Sequence, residues 1–326
     1  MQPFTFSRAS TLDAAISSAA DGATFVAGGT EILNWMKDGI ASPLQLVDIN
    51  ALPLVDIRVD DDGLLIGALA RMSDVAANED VRAIFPAISE ALELSASPQL
   101  RNMATLGGNV MQRTRCPYFR AEVALPCNKR IPNIGCSALH GENRGHAIFG
   151  WSERCVATHP SDIAVALCAL DATVVVRSRT GSRTIPIAEL YRDPADDPSV
   201  DTTLRRDELI TAIRVPRSRV STTSRYIKVR ERASYEFALV SAAAAVSMDG
   251  DRISEARVAL GGVAHKPWRL RGAEQALIGR PLEREQIEAA IAGDFTAARP
   301  LEHNAFKVVL AQRVAVRALE LAGGQG

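Results

Sequence analysis

Four of the five cysteines in this 326-residue chain fall in one segment: Cys116, Cys127, Cys136 and Cys155. Their gaps of 10, 8 and 18 residues match neither a paired-cysteine zinc ribbon nor a ferredoxin run. Four thiolates so confined still suit a four-cysteine metal site. Zinc and an iron–sulfur cluster use the same ligands, and four unrelated buried thiols are the plainest alternative. Arg113, Arg115, Lys129, Arg130 and Arg154 crowd the segment. Positive charge lowers a thiol's pKa and offsets a negative cluster, so depressed thiols are expected here. Cys168 stands apart on an apolar stretch and reads as a core residue.

Glycine pairs mark a second kind of chemistry. Ala27-Gly28-Gly29-Thr30 lies between a strand and a helix. Glycine lets the backbone approach a ligand and take a positive φ. The helix start behind it offers free N–H groups to a pyrophosphate. The run lacks the spacing of the Rossmann fingerprint, and taken alone an ordinary tight turn explains it better. A second pair, Gly107-Gly108, sits between Thr105 and Asn109. Two such pairs suggest a cofactor held between two loops; a surface loop is the alternative. In His159-Pro160-Ser161-Asp162, Asp162 either caps a helix or binds a cofactor hydroxyl, and the cap is the commoner role. Lys228, within Tyr226–Arg232, either reaches inward to a cofactor or is solvated.

These residues need elements to hold them. Ser10 or Thr11 caps a helix through Leu12, Ala15 and Ile16. Thr24–Val26 is a strand, and Thr30 caps the helix through Ile32, Leu33 and Met36. Strands follow at 44–49 and 64–68, the second after the turn Asp60-Asp61-Asp62-Gly63. A helical region runs from Ser73 to about Ala96, broken near Pro86. Apolar periodicity nearly vanishes from Arg113 to Arg154, a length unusual unless something pins it. Ser161 caps the helix that carries Cys168. Strands lie at 172–176 and 208–215, with a loop at 193–206 between them and a linker at 217–224 after them. Strands near 225–230, 238–247 and 255–261, then helices near 272–278, 284–292 and 303–322, predict a separate α+β unit.

Composition narrows the classes. Hydrophobic residues make up 47% of the chain, ample for a core. Aromatics at 5% argue against a stacking platform for nucleic acid. Thirty-seven basic and 38 acidic residues leave a formal charge of -1 with no basic stripe, so neither nucleic acid nor anionic lipid is an expected partner. No stretch approaches the roughly 20 apolar residues of a membrane span. Residues 1–22 lack the pattern of a signal peptide. The expected location is cytoplasmic, or periplasmic by co-export with a partner bearing a twin-arginine signal. Disulfides are not expected.

Six motifs in order point to one family. They are the AGGT loop, the TLGGN loop at 105–109, the HPSDI helix start, Asp207–Ile210, Ile227–Arg232 and Gly261-Gly262-Val263-Ala264. Together they resemble the FAD-binding subunits of the xanthine dehydrogenase and carbon monoxide dehydrogenase group, across nearly the whole chain. Arg113–Phe119, Cys127–Arg130, Gly135-Cys136 and Cys155–Asp162 are similar to the flavin subunits of periplasmic aldehyde oxidoreductases, which carry a [4Fe–4S] cluster in such an insertion.

The resemblance implies an α+β fold. A two-subdomain PCMH-type FAD-binding domain spans 1–218, with subdomains at about 1–55 and 56–218 and a cluster insertion at about 113–156. A C-terminal domain of the CO dehydrogenase flavoprotein type, a three-stranded sheet with helices, spans 225–326. It also implies roles. Val26, Ala27, Gly28, Gly29, Thr30, Glu31, Ile32, Leu33 and Asn34 wrap the FAD pyrophosphate. Thr105, Gly108 and Asn109 close over it. Asp162 binds ribityl or nearby hydroxyls, Lys228 approaches the flavin end, and Ile210 packs on the ring. Cys116, Cys127, Cys136 and Cys155 ligate the cluster.

The implied partners are a molybdenum cofactor-binding large subunit, a [2Fe–2S] small subunit and an external electron acceptor. This chain would then transfer electrons, with substrate oxidation on a partner and no general acid or base of its own. Two other readings stay open. One is a flavin subunit like that of 4-hydroxybenzoyl-CoA reductase. The other is a non-catalytic assembly subunit whose cysteines bind zinc.

Overall fold

Short strands and helices alternate in the first fifty residues: Gln45–Asp48 buries Leu46 and Val47 and Thr24–Val26 buries Val26, whereas Thr5–Arg8 is exposed along its length. In the computed structural model, which describes residues 1–325, they form a parallel sheet. Gly326, the last residue of the expected C-terminal domain, lies outside the described residues. The strands are β1 (Thr5–Arg8), β2 (Thr24–Val26) and β3 (Gln45–Asp48), in the order β1-β3-β2. Parallel neighbours need crossovers, and the helix Leu12–Ala20 supplies the first. Thr11 caps it by accepting from the Ala14 amide. The second crossover carries the helix Ile32–Lys37. Thr30 does not cap it: the helix starts one residue later, behind Glu31, whose side chain makes no capping bond.

A second sheet is antiparallel throughout. It holds β4 (Ile57–Asp60), β5 (Gly63–Gly67), β6 (Thr173–Ser178), β7 (Gly181–Pro186) and β8 (Leu209–Pro216), in the order β4-β5-β8-β6-β7. The edge strands β4 and β7 escaped the sequence reading because few of their residues are buried. The helical region after residue 71 is three helices, Met72–Ala77, Glu79–Ile84 and Pro86–Glu93. Asn78 caps the second by accepting from Val81 N, an extra break unseen beside Pro86. The helix Asp162–Ala169 is buried at every residue and capped by Ser161. Cys168 lies in that core, as expected.

The third sheet has β9 (Arg225–Val229), β10 (Val240–Asp249), β11 (Arg252–Gly261) and β12 (Trp268–Arg269), in the order β12-β11-β10-β9. The two-residue β12 extends the expected three strands to four. Helices Arg271–Leu277 and Phe306–Ala322 pack against this sheet, and Arg284–Asp294 packs on those two helices. The connection at 217–224 is a packed turn rather than a loose linker. Val220 is fully buried, and the Ser224 hydroxyl accepts from Ala87 N.

Between Arg113 and Arg154 only Pro117–Arg120 is regular, so the expected aperiodic stretch is present. It is nonetheless anchored by apolar burial, contrary to the sequence reading. Phe119, Ile148 and Phe149 are buried. Phe149 stacks on Trp268 at 5.1 Å and meets Phe295 edge-on at 5.2 Å, inside the C-terminal core. Among the described residues no helix is long and apolar enough to cross a membrane.

Candidate functional site

The glycine loops face each other across a cleft of about 790 Å³, within the range of small-molecule sites. All the residues assigned above to FAD line it except Val26 and Leu33. Val26 points instead into a small core with Met36 and Leu46, and Leu33 is 40% exposed. Gly28 is required by packing. A Cβ there would stand 2.1 Å from the Met103 carbonyl oxygen of the opposite loop. Gly29 has φ +71°, where an L side chain is strained. Asn50 and Arg71 stitch the two loops together. Asn50 donates to the Ala27 carbonyl at 2.9 Å, and Arg71 donates to Asn50 Oδ1 at 3.1 Å and to the Met103 carbonyl. Thr105 caps the helix Leu106–Val110 through Gly108 N, and Ser161 donates to Asn109 Oδ1 at 2.6 Å.

Asp162 and Lys228 both line the cleft, but they spend most of their bonding on protein. Lys228 Nζ donates to Asp162 Oδ2 at 2.9 Å and to the Leu94 carbonyl at 3.1 Å. Ser95 Oγ donates to the same carboxylate oxygen at 2.9 Å, and Tyr226 donates to Oδ1 at 2.6 Å. The two side chains are 7% and 1% exposed, so they form a buried ion pair. Burial, then the adjoining Asp162 charge, pushes the Tyr226 phenol well above its usual range. Ile210 enters the cleft from the start of β8, between Leu209 and the second sheet's core.

One wall of the cleft went unassigned in the sequence. Arg113, Arg115 and Arg120 line it, although position alone marked the first two as partners of the cysteines. Arg115 and Arg120 both pair with Glu31, and Arg115 also lies over the Phe237 ring at 5.0 Å. Arg113 and Lys129 both pair with Asp201. These cations are therefore engaged with carboxylates, and the expected depression is not found at Cys116 or Cys155. Burial pushes Cys116 up to about 12 and Cys155 up to about 11, although Lys129 pulls Cys155 the other way.

All four segment cysteines line one small cavity behind that wall, and none is disulfide-bonded. Cys127 and Cys136 face each other across an isolated antiparallel bridge. His146 Nε2 lies 3.2 Å from Cys116 Sγ, a contact the sequence reading missed. As the side chains stand, no three His, Cys, Asp or Glu groups among the described residues are gathered so as to hold a metal ion.

Residues 2–218 match the family model described as the FAD binding domain in molybdopterin dehydrogenase. Residues 225–322 match the CO dehydrogenase flavoprotein C-terminal domain. The aldehyde oxidoreductase FAD-binding subunit PaoB of Escherichia coli K12 is 46% identical over 329 aligned positions, covering 100% of both chains. The carbon monoxide dehydrogenase medium chain of Hydrogenophaga pseudoflava is 27% identical over 306 positions, covering 92% of this chain and 89% of that one. In the solved CO dehydrogenase of Oligotropha carboxidovorans, one chain has the same fold, with TM-score 0.77, 23% identity and 100% coverage of both chains. The cleft between two glycine loops, the two matched models and the full-length relative leave one assignment: the chain belongs to the FAD-binding subunits of the molybdenum hydroxylase family.

Proposed function

We propose that this chain is the FAD- and [4Fe–4S]-bearing electron-transfer subunit of a heterotrimeric aldehyde oxidoreductase. It would stand between a [2Fe–2S] subunit and an external acceptor, with aldehyde oxidation on a molybdenum subunit. The carrying observation is the cleft walled by Gly28-Gly29 and Thr105–Asn109, in a chain that matches an aldehyde oxidoreductase subunit from end to end. Bound flavin supplies redox chemistry in one- or two-electron steps. The protein positions it and tunes it. Gly28 and Gly29 bring backbone to the cleft floor, Asn50 and Arg71 fix the spacing of the loops, and Ile210 offers an apolar surface. The Asp162–Lys228 pair presents its remaining hydrogen-bonding capacity to whatever the cleft holds. No side chain is assigned as a general acid or base.

The cysteines fit a polynuclear cluster by their donor set and their shared cavity. A single tetrahedral zinc would draw the sulfurs to about 3.8 Å from one another, given Zn–S bonds of about 2.3 Å. A four-iron cluster would take its thiolates at four separate corners, farther apart than a single zinc ion allows.

Three measurements test this. Acid precipitation should release FAD, since neither glycine loop holds a His or Cys to bind it covalently. Iron analysis of the five single Cys→Ser variants should show loss at Cys116, Cys127, Cys136 and Cys155 and none at Cys168. Zinc in place of iron, or equal loss at all five, counts against the cluster. The purified chain should not oxidise aldehydes until it is combined with molybdenum and [2Fe–2S] subunits. Turnover by the single chain overturns the division of roles.

A further inference from the structure

The cysteine segment does more than line its own cavity: it supplies the charged wall of the flavin cleft. Glu31 follows Gly28-Gly29-Thr30 directly and lines the same cleft. One carboxylate there faces two guanidiniums, Arg115 and Arg120, leaving one positive charge in excess. Further along the wall Asp201 faces Arg113 and Lys129, again one carboxylate against two cations. The remaining carboxylates of the cleft carry no free negative charge to cancel this. Asp162 pairs with Lys228, Glu236 with Arg232, and Glu208 with Arg183 and Arg205. The Nε of Arg115 is buried and has no hydrogen-bond partner, although its two terminal nitrogens are bonded to Glu31 and Gln112. That nitrogen is closed off from the cleft, so a ligand meets the part of the Arg115 side chain that stays 26% exposed there. Arg115 is placed by Glu31 on one side and the Phe237 ring on the other.

We propose that Arg115, seconded by Arg120, recognises the doubly negative pyrophosphate of FAD, and that Glu31 acts as a positioning residue that aims both guanidiniums. The segment that holds the cysteines would then also select a dinucleotide over plain riboflavin. Planar guanidiniums suit this task because they offer paired donors to phosphate oxygens. The inference rests on the reading of the cleft as a flavin site.

The test is titration of the deflavinated full-length chain with FAD and with riboflavin, followed by flavin fluorescence. Arg115→Gln should weaken FAD about tenfold or more, the usual cost of a lost charge-assisted contact, while riboflavin affinity changes little. Arg115→Lys should recover part of the loss. FAD binding to the unmodified chain should weaken with added salt, and less steeply in the Arg115→Gln variant. Glu31→Gln separates charge from scaffolding. It removes the carboxylate that aims both guanidiniums, so FAD should bind more weakly while riboflavin affinity changes little, whereas a merely structural salt bridge predicts equal loss for both flavins. Equal weakening of FAD and riboflavin in Arg115→Gln, or an unchanged FAD affinity, overturns the proposal. Failure of the unmodified chain to bind FAD at all would instead overturn the flavin reading beneath it.

Discussion

Lys228 and Asp162 meet where both side chains are almost wholly buried, and each is the other's ion-pair partner. Removing one partner of such a pair leaves an uncompensated buried charge, at a cost of about 3–5 kcal/mol. Lys228→Met should therefore lower the urea-unfolding free energy of the chain by roughly 3 kcal/mol, with Tyr226 and Ser95 softening the loss. The double variant Lys228→Met with Asp162→Asn should regain much of it, and a double variant no better than the single one would count against charge burial as the cause. His146 offers a second residue-scale test. A metal-bound thiolate carries no proton, so on the cluster reading His146 Nε2 is the donor to Cys116 Sγ. His146→Phe should keep the iron and lower the cluster's midpoint potential in a redox titration. An unchanged potential with iron retained would remove His146 from that role.

At the level of elements, the cysteine segment shows what holds a stretch that has almost no helix or strand. Phe149 inserts between Trp268 and Phe295 and is 1% exposed. Phe149→Ala should cost about 3–5 kcal/mol and expose residues 113–156 to limited proteolysis, even with all five cysteines intact. Retained protease resistance would show that the thiols alone hold the segment. The sequence did not show this anchor, because the Ala147-Ile148-Phe149 run is short and sits among Gly, Asn and Arg. Elements with sustained apolar runs or a regular apolar face were legible: the buried helix after Ser161, β8, β10 and the C-terminal helix. Elements with few buried residues, β4, β7 and β12, left no pattern to read. The glycine loops were legible through the resemblance of six ordered motifs to one family, since each glycine pair taken alone reads as well as a turn or a surface loop. The arginine wall was not legible, because Arg115 lies next to Cys116 in sequence while its partners, Glu31 and Phe237, lie 84 and 122 positions away.

Across the whole molecule, the chain buries imidazoles where its three regions meet. His159 packs at a tilt against Tyr191, ring centres 4.2 Å apart, and lies beside Asp201, Lys129 and His265. Burial pulls His159 down to about 3 and His265 down to about 4, from an ordinary value of 6.5. Asp201 opposes the shift in His159, and Lys129 reinforces it in both. Both imidazoles are therefore neutral in the fold and bind a proton once the chain unfolds. Below pH 6.5 the unfolded chain holds more protons than the native one, so stability is complete above that pH and falls as pH drops. Each group contributes up to about 1.4 kcal/mol per pH unit in that range. His146, pulled down by burial to about 4, adds to the same fall, and Lys307, pulled down by burial to about 7, adds to it near the upper end of the range. The carboxylates whose pKa is lowered, Asp201, Asp48 and Glu208, begin to cost stability only near and below the usual carboxylate range. Burial raises Glu90, which acts in the opposite direction. The chain should thus unfold at a lower urea concentration at pH 5.5 than at pH 7.5. His159→Phe and His265→Phe should each flatten that dependence, since phenylalanine fills the space and binds no proton. Equal midpoints at the two pH values, or a slope that neither variant changes, would show that these imidazoles do not couple protonation to the fold.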